Sequence, residues 1–328
     1  MRVVGVDGGG TRTRVVLLVD GEAVSSAVGP ATNPLVLGVE VAIARLLAVV
    51  DEALGASMRD AASGAASGAA REAPLDAVGV GIAGVGASAS ARAAIEGALQ
   101  RRFATARVVV TTDVVAALAG AFEGGPGILV VGGTGSVALG YSGARCVRVG
   151  GWGRRLGDAG SGFDLFRRVA CTLLAADDGL ELQTAATVSL RDALVARLGL
   201  ASIRDLIEVF ARDPRPDEVL AAVEAIVARA DAGDEVATHA LHVQAQSLSE
   251  LAIATQRQLG GQLAVAPTGG LILGSRIVAD KFEALLQAEH IDVMPAISKP
   301  EVGAALLAAA RPGQAHARLL EASAVFLR

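Results

Sequence analysis

Asp7-Gly8-Gly9-Gly10-Thr11-Arg12-Thr13 combines residue types that phosphate chemistry uses. Consecutive glycines let backbone N–H groups approach phosphate oxygens with no Cβ in the way. The Thr11 hydroxyl adds a donor. Asp7, at the end of an apolar run, suits a water-mediated contact to Mg2+, a hard cation that keeps several of its waters. No Gly-Lys-Ser/Thr follows, so this is not a Walker A loop, and the next run reads as a strand, so it is not a dinucleotide fingerprint. A tight glycine hairpin without a ligand is the plain alternative. Gly132-Gly133-Thr134-Gly135-Ser136 is a second turn of the same kind, with hydroxyls at Thr134 and Ser136. Two such turns in matching positions of two halves point to phosphates clamped between two domains.

Thr111-Thr112-Asp113 closes one apolar run and opens a helical one. Asp113 there is an N-cap, a general base, or both, since one carboxylate oxygen can cap while the other faces a cleft. Gly150-Gly151-Trp152-Gly153 leads to Leu156-Gly157-Asp158-Ala159-Gly160-Ser161-Gly162 and holds the single Trp of the chain. A core Trp rarely needs glycine on both sides, whereas a loop presenting an aromatic face and then Asp158 fits a sugar. Asn33-Pro34 reads as a turn. Gly269-Gly270 with Ser275 could let a nucleobase or ribose lie against backbone. His239 and His242 are spaced i,i+3 but lack a carboxylate at metal-site spacing. Cys146 and Cys171 read as inert small residues, and His290 and His316 as solvated ones.

The elements that position these residues follow from periodicity. Val3 to Val6, Val15 to Val19 and Glu22 to Val28 read as strands joined by glycine turns, an antiparallel start. Val39, Ile43, Leu46, Leu47, Val50 and Leu54 fall at helical spacing. Residues 55–74 are a low-complexity stretch expected to be mobile. Val78 to Ile82 and Val108 to Thr111 read as buried strands, and Ile128 to Val131 and Val137 to Tyr141 repeat the opening pattern. Residues from about 164 to 260 read as mostly helical, followed by a strand over Leu263 to Ala266 and a final helix over Val302 to Ala310.

The 328 residues are 52% hydrophobic and 19% charged, which excludes intrinsic disorder. Aromatics make up only 3%, so the core must be built from Ala, Val and Leu. A net charge of −5 gives no footprint for nucleic acid. No run of about 18 uncharged apolar residues predicts a membrane span. The N-terminus shows no signal-peptide hydrophobic region, so a cytoplasmic protein is expected. Two Cys form no disulfide framework.

In order, Val6 to Thr13, Ala31 to Gly38, Val110 to Gly120, Gly132 to Ser136 and Gly150 to Gly162 resemble the N-acetylglucosamine kinase branch of the BadF/BadG/BcrA/BcrD ATPase family. The resemblance is dense in the first half. After about residue 170 it rests on helix content, the Gly269-Gly270 turn and Val302-Gly303-Ala304. It implies a two-domain actin-like ATPase (ribonuclease H-like) α/β fold, a mixed sheet with helices in each domain, and nucleotide in the interdomain cleft. The domains are expected at 1–113, rejoined by a C-terminal helix at about 312–328, and at 114–311 with a helical insertion. The implied activity is ATP-dependent phosphorylation of the 6-hydroxyl of N-acetylglucosamine, with glucosamine, N-acetylmuramic acid or another hexose as alternatives. Gly9, Gly10, Thr11, Thr134 and Gly135 would hold ATP phosphates, Asp7 would organise Mg2+ through water, and Gly269 and Gly270 would lie by the adenosine. Asn33, Asp113, Gly151, Trp152, Gly153 and Asp158 would contact the sugar, with Asp113 as the base. A homodimer is expected, with no nucleic-acid or membrane partner.

Two positions depart from the pattern: Ala159 stands where the family usually has Glu, and Val137 where it usually has Asn. The first implies a broader sugar preference, the second weaker ATP handling. Two rival readings remain. A dehydratase-activating ATPase would need an iron–sulfur cluster held by Cys, but neither Cys lies beside a glycine loop in that branch's pattern. A sugar sensor would usually carry an N-terminal helix-turn-helix, and the first strand already begins at residue 3.

Overall fold

A computed structural model describes residues 1–62 and 74–327. The low-complexity stretch is helical up to Ala62, and 63–73 lie outside the described residues. The chain divides into two compact units: residues 1–127, 139–147 and 295–328, and residues 128–138 and 148–294.

The first unit is built on β1 (Arg2–Gly8), β2 (Arg12–Val19), β3 (Glu22–Pro30), β4 (Ala77–Ile82) and β5 (Arg107–Thr111), in the order β3-β2-β1-β4-β5. The first three strands are antiparallel, and β4 and β5 run parallel to β1, so the sheet is mixed as the glycine turns predict. Helices α1 (Pro34–Leu37), α2 (Val39–Ala62), α3 (Ala89–Arg102) and α4 (Asp113–Phe122) follow the same chain order. One sheet face buries Val4, Val6, Val15 and Leu17 with Leu46, Val50, Ile95 and Leu99. This core is aliphatic, as the scarcity of aromatics requires.

The second sheet has the order β8-β7-β6-β9, from β6 (Gly127–Gly132), β7 (Ser136–Tyr141), β8 (Cys146–Gly150) and β9 (Val265–Thr268). Strand β8 has no counterpart in the sequence reading, because its Arg148 interrupts an otherwise short apolar run. Helices α5 (Gly162–Asp177), α6 (Ala185–Leu198), α7 (Leu206–Ala211), α8 (Pro216–Asp231), α9 (Glu235–Leu259), α10 (Gly270–Gly274) and α11 (Arg276–Ala288) belong to the second unit. Its core joins Phe166, Leu173, Leu190, Ile226, Leu241, Leu248 and Phe282.

The chain returns to the first unit through α12 (Pro300–Ala309) and α13 (Ala315–Ser323). The compact units therefore differ from a division at 113/114 and 311/312, because α4 and α12 both pack within the first unit. Glycine makes that packing possible. A Cβ on Gly5 would overlap the Glu301 carbonyl, one on Gly79 the Ala304 carbonyl, and one on Gly303 the Ala116 carbonyl. A Cβ on Gly120 would come 2.7 Å from the Lys299 carbonyl.

Candidate functional site

In the first unit the β1–β2 register sets Asp7 opposite Arg14 and Gly8 opposite Thr13, with Gly9 to Thr11 forming the tip. Gly9 N donates to Arg12 O at 3.0 Å, which closes the turn, and a Cβ on Gly10 would meet nothing within 4 Å. The tip is exposed at Gly10 and Thr11. The Thr13 hydroxyl donates to Pro30 O at 2.8 Å and pairs with the Thr32 hydroxyl at 2.9 Å, while Thr32 N donates to Gly9 O at 3.4 Å. These contacts tie the turn to the segment that carries Asn33. Asn33 has the local role the turn reading predicts: its Oδ1 accepts from Leu35 N at 2.9 Å and caps α1.

Asp7 is 9% exposed and its Oδ2 accepts from Arg14 Nη1 at 3.3 Å. Burial and the nearby Asp113 carboxylate push Asp7 up to about 6, Arg14 pulls it down, and Glu301 adds to the upward push. Glu301 opens α12, is buried, and its Oε2 has no partner among the described residues. A dense set of carboxylates, only partly offset by Arg14, favours a nearby cation. Among the described residues no three acidic, His or Cys side chains could enclose a metal unaided.

Asp113 is not the N-cap of α4. Thr112 takes that role, its Oγ1 accepting from Val115 N at 3.3 Å, and Asp113 is the first residue of the helix. A carboxylate in the first helical turn is favoured by the helix dipole.

In the second unit, Gly133 N donates to Gly135 O at 3.0 Å and closes the other turn, with Thr134 exposed at its tip. Its hydroxyls are not equivalent. Ser136 is buried and donates to Ala159 O at 2.7 Å, so it is unavailable as a phosphate donor. Gly162 N donates to Gly133 O at 2.7 Å and Phe163 N to Thr134 O at 3.3 Å. Gly269 lies directly against this turn: its φ is +105° and a Cβ there would come 2.6 Å from Gly132 C. Ser275 is buried and caps α11 by accepting from Val278 N at 3.4 Å, which leaves Gly269 and Gly270 as the available backbone.

Trp152 is 71% exposed in the loop after β8, not a core residue. Arg148 donates to Gly151 O, and its guanidinium carbon lies 5.9 Å from the Trp152 ring centroid. Gly151 has φ +70°, and a Cβ there would meet Val137 Cγ2 at 3.0 Å. Val137 is therefore buried against the Trp152 loop as well as following the phosphate turn. Asp158 Oδ1 accepts from Gly153 N at 3.1 Å, and a Cβ on Gly135 would come 3.0 Å from Asp158 Oδ2. Burial raises the Asp158 carboxyl above its usual range, opposed by the Gly153 N–H and by Arg148 and Arg154.

Sequence reasoning missed Arg14, Glu301 and Arg148. The hairpin register could have paired Arg14 with Asp7, and the i,i+4 spacing from Arg148 to Trp152 was visible. No local signal links Glu301 to Asp7. His316, read as solvated, is half-buried: a Cβ on Gly124 would come 2.9 Å from its Cγ. His239 and His242 are exposed.

Two sheets, each carrying a hydrogen-bonded glycine turn, one beside buried carboxylates and one beside an aromatic loop, define a two-sheet α/β protein. Residues 4–308 match the BadF/BadG/BcrA/BcrD ATPase family, and the chain belongs to it. The N-acetyl-D-glucosamine kinase of Dictyostelium discoideum is 25% identical over 317 residues, 93% of this chain and 97% of that protein. The N-acetylmuramic acid/N-acetylglucosamine kinase of Clostridium acetobutylicum is 30% identical over 56% of this chain and 60% of its own length. A solved Chromobacterium violaceum protein, provisionally assigned as an N-acetylglucosamine kinase, matches with a TM-score of 0.72 and 27% identity, covering 93% of this chain and 98% of its own. The fold is also shared with a ROK family glucokinase from Streptomyces griseus, at a TM-score of 0.59 and 18% identity over 94% of this chain and 99% of its own.

Proposed function

We propose that this protein is an ATP-dependent kinase that phosphorylates the 6-hydroxyl of N-acetylglucosamine or a related amino sugar. The observation that carries the reading is Asp113 at the head of α4, close enough to buried Asp7 for their charges to oppose each other. The full-length likeness to the Dictyostelium discoideum kinase supports the substrate class. Phosphoryl transfer asks mainly for positioning and charge neutralisation. In this reading Gly9, Gly10 and Thr11 hold phosphates, as do Thr134 and Gly135. Gly269 and Gly270 offer backbone to the adenosine. Asn33, Gly151, Trp152 and Gly153 hold the sugar, with Asp158 at the same loop. Asp113 accepts the proton of the 6-hydroxyl as that oxygen attacks phosphorus. Asp7 would hold Mg2+ through water; the ion supplies neutralisation of phosphate charge.

Among the described residues no helix is long and apolar enough to cross a membrane. A cytoplasmic location and a homodimer belong to the same reading.

The test is an ADP-release screen over hexoses and amino sugars with MgATP. Turnover on an amino sugar at least tenfold above the sugar-free rate is expected, with the product phosphorylated at O6. No sugar-dependent ADP release from folded protein that binds ATP would remove the reading.

A further inference from the structure

We infer that Asp158 is a positioning residue that couples the second glycine turn to the Trp152 loop, so that nucleotide held at the turn is sensed at Trp152 without sugar. This rests on the kinase reading above, and deepens it by giving Asp158 a task other than holding sugar.

The second turn and the segment after the Trp152 loop form one hydrogen-bonded body. Gly162 N and Phe163 N donate to the Gly133 and Thr134 carbonyls, and the Ser136 hydroxyl donates to the Ala159 carbonyl. These links fix the loop's exit to the turn. They leave its entrance, which carries Trp152, to be held some other way. The entrance is held at Gly151 by Arg148 and, directly after Trp152, by Asp158, whose Oδ1 accepts from Gly153 N. The other oxygen of the same carboxylate leans on Gly135, inside the turn. One side chain therefore reaches both bodies.

The backbone agrees with that task. Asp158 has φ +59°, a left-handed conformation that a non-glycine residue rarely adopts without cause. That conformation turns its carboxylate back across the loop, and Ser161 N donates to Asp158 O at 3.1 Å to hold it there. Gly157 permits the fold-back, since a Cβ on it would come 3.1 Å from Trp152 Cβ. One oxygen accepts a backbone hydrogen bond, and the other lies 3.0 Å from where a Cβ on Gly135 would stand. In this inference a phosphate held at the backbone of Thr134 and Gly135 displaces Asp158, and Gly153 and Trp152 follow.

The single Trp of the chain makes this measurable, because all tryptophan emission reports this loop. Full-length protein is titrated with MgADP without sugar, following tryptophan emission and, in parallel, calorimetric binding. Wild type is expected to show a saturable emission change with the same midpoint as calorimetric binding. Asp158→Ala should bind MgADP but lose most of that change. Asp158→Asn keeps an acceptor for Gly153 N and should retain much of it. By reciprocity, N-acetylglucosamine should change the MgADP Kd of wild type by about 5–150-fold, and that factor should fall towards one in Asp158→Ala. Thermal unfolding of each variant guards against misfolding, and wild type alone remains decisive if Asp158→Ala does not fold. MgADP binding without any emission change in wild type overturns the inference, as does a full emission change in folded Asp158→Ala. Failure of wild type to bind MgADP at all overturns the kinase reading itself, and the coupling with it.

Discussion

The two glycine turns look alike in sequence and differ in what braces them. Each closes on itself through a glycine N–H at 3.0 Å, and each is tied to a segment proposed to hold sugar. The first is tied to the Asn33 segment by neutral groups, the Thr13 and Thr32 hydroxyls and the Thr32 N–H. Its charge lies beneath it, in Asp7 with Arg14, Asp113 and Glu301. The second turn is braced from its flanks by Gly269, Ser136 and the Asp158 carboxylate, whose charge is opposed by Arg148 and Arg154. In the proposed reading both Gly-Gly turns approach phosphate, and the groups around them give the first a charge cluster and the second a link to the Trp152 loop.

The comparison breaks most visibly if the first turn does not hold the chemistry. Asp113→Asn is expected to lower kcat by about 10²–10⁴-fold while MgADP affinity stays near wild type. Retention of more than about a tenth of wild-type kcat would make Asp113 a structural residue of α4.

Glycine substitutions should separate the turns next. Gly269→Ala should unfold at markedly lower temperature, since its backbone conformation alone costs about 1–3 kcal/mol for an L-residue, before the overlap with Gly132 is counted. Gly10→Ala should change stability by only about 0.5 kcal/mol, yet weaken nucleotide binding, because its Cβ enters the open tip. Equal loss of stability in the two variants would erase the distinction between an open turn and a braced one.

Thr13→Val tests the neutral brace of the first turn. It leaves Pro30 O and the buried Thr32 hydroxyl short of a partner, so a loss of about 1–3 kcal/mol in denaturant unfolding is expected. Unchanged stability would show that the Asn33 segment is held by other contacts.

The smallest effect concerns His316, far along the chain but in the first unit. Burial lowers its pKa, with Glu123 opposing. The unfolded state then binds the proton more readily, so His316 contributes stability above about pH 6.5 that is lost as the pH falls. Thermal melts from pH 7.5 to 5.5 should fall less steeply for His316→Gln than for wild type. Parallel curves would place the acid sensitivity elsewhere.

The sheets, the glycine turns and most helices were legible because they rest on local pattern: β-branched runs, paired glycines and i,i+4 spacing. Thr112 and Asp113 are both good caps side by side, and pattern alone could not choose between them. Ser136 and Ser275 look like free donors in sequence, yet each is used within its own unit, one on a carbonyl 23 residues away and one on its own helix. The placement of α12 rests on Gly5 and Gly79 meeting it and on its own Gly303 meeting α4, contacts across long stretches of chain that no window of neighbouring residues contains.

That glycine-lined seam sets an order of events during synthesis. Strands β1 to β5 emerge early, but the helix that covers the Gly5–Gly79 face, α12, is made only after the whole of 148–294 has been translated. Until α12 is made, the sheet face of Val3, Val16, Leu18 and Ala77 lacks the helix that buries it, so the first unit is completed only by residues that follow the second in the chain.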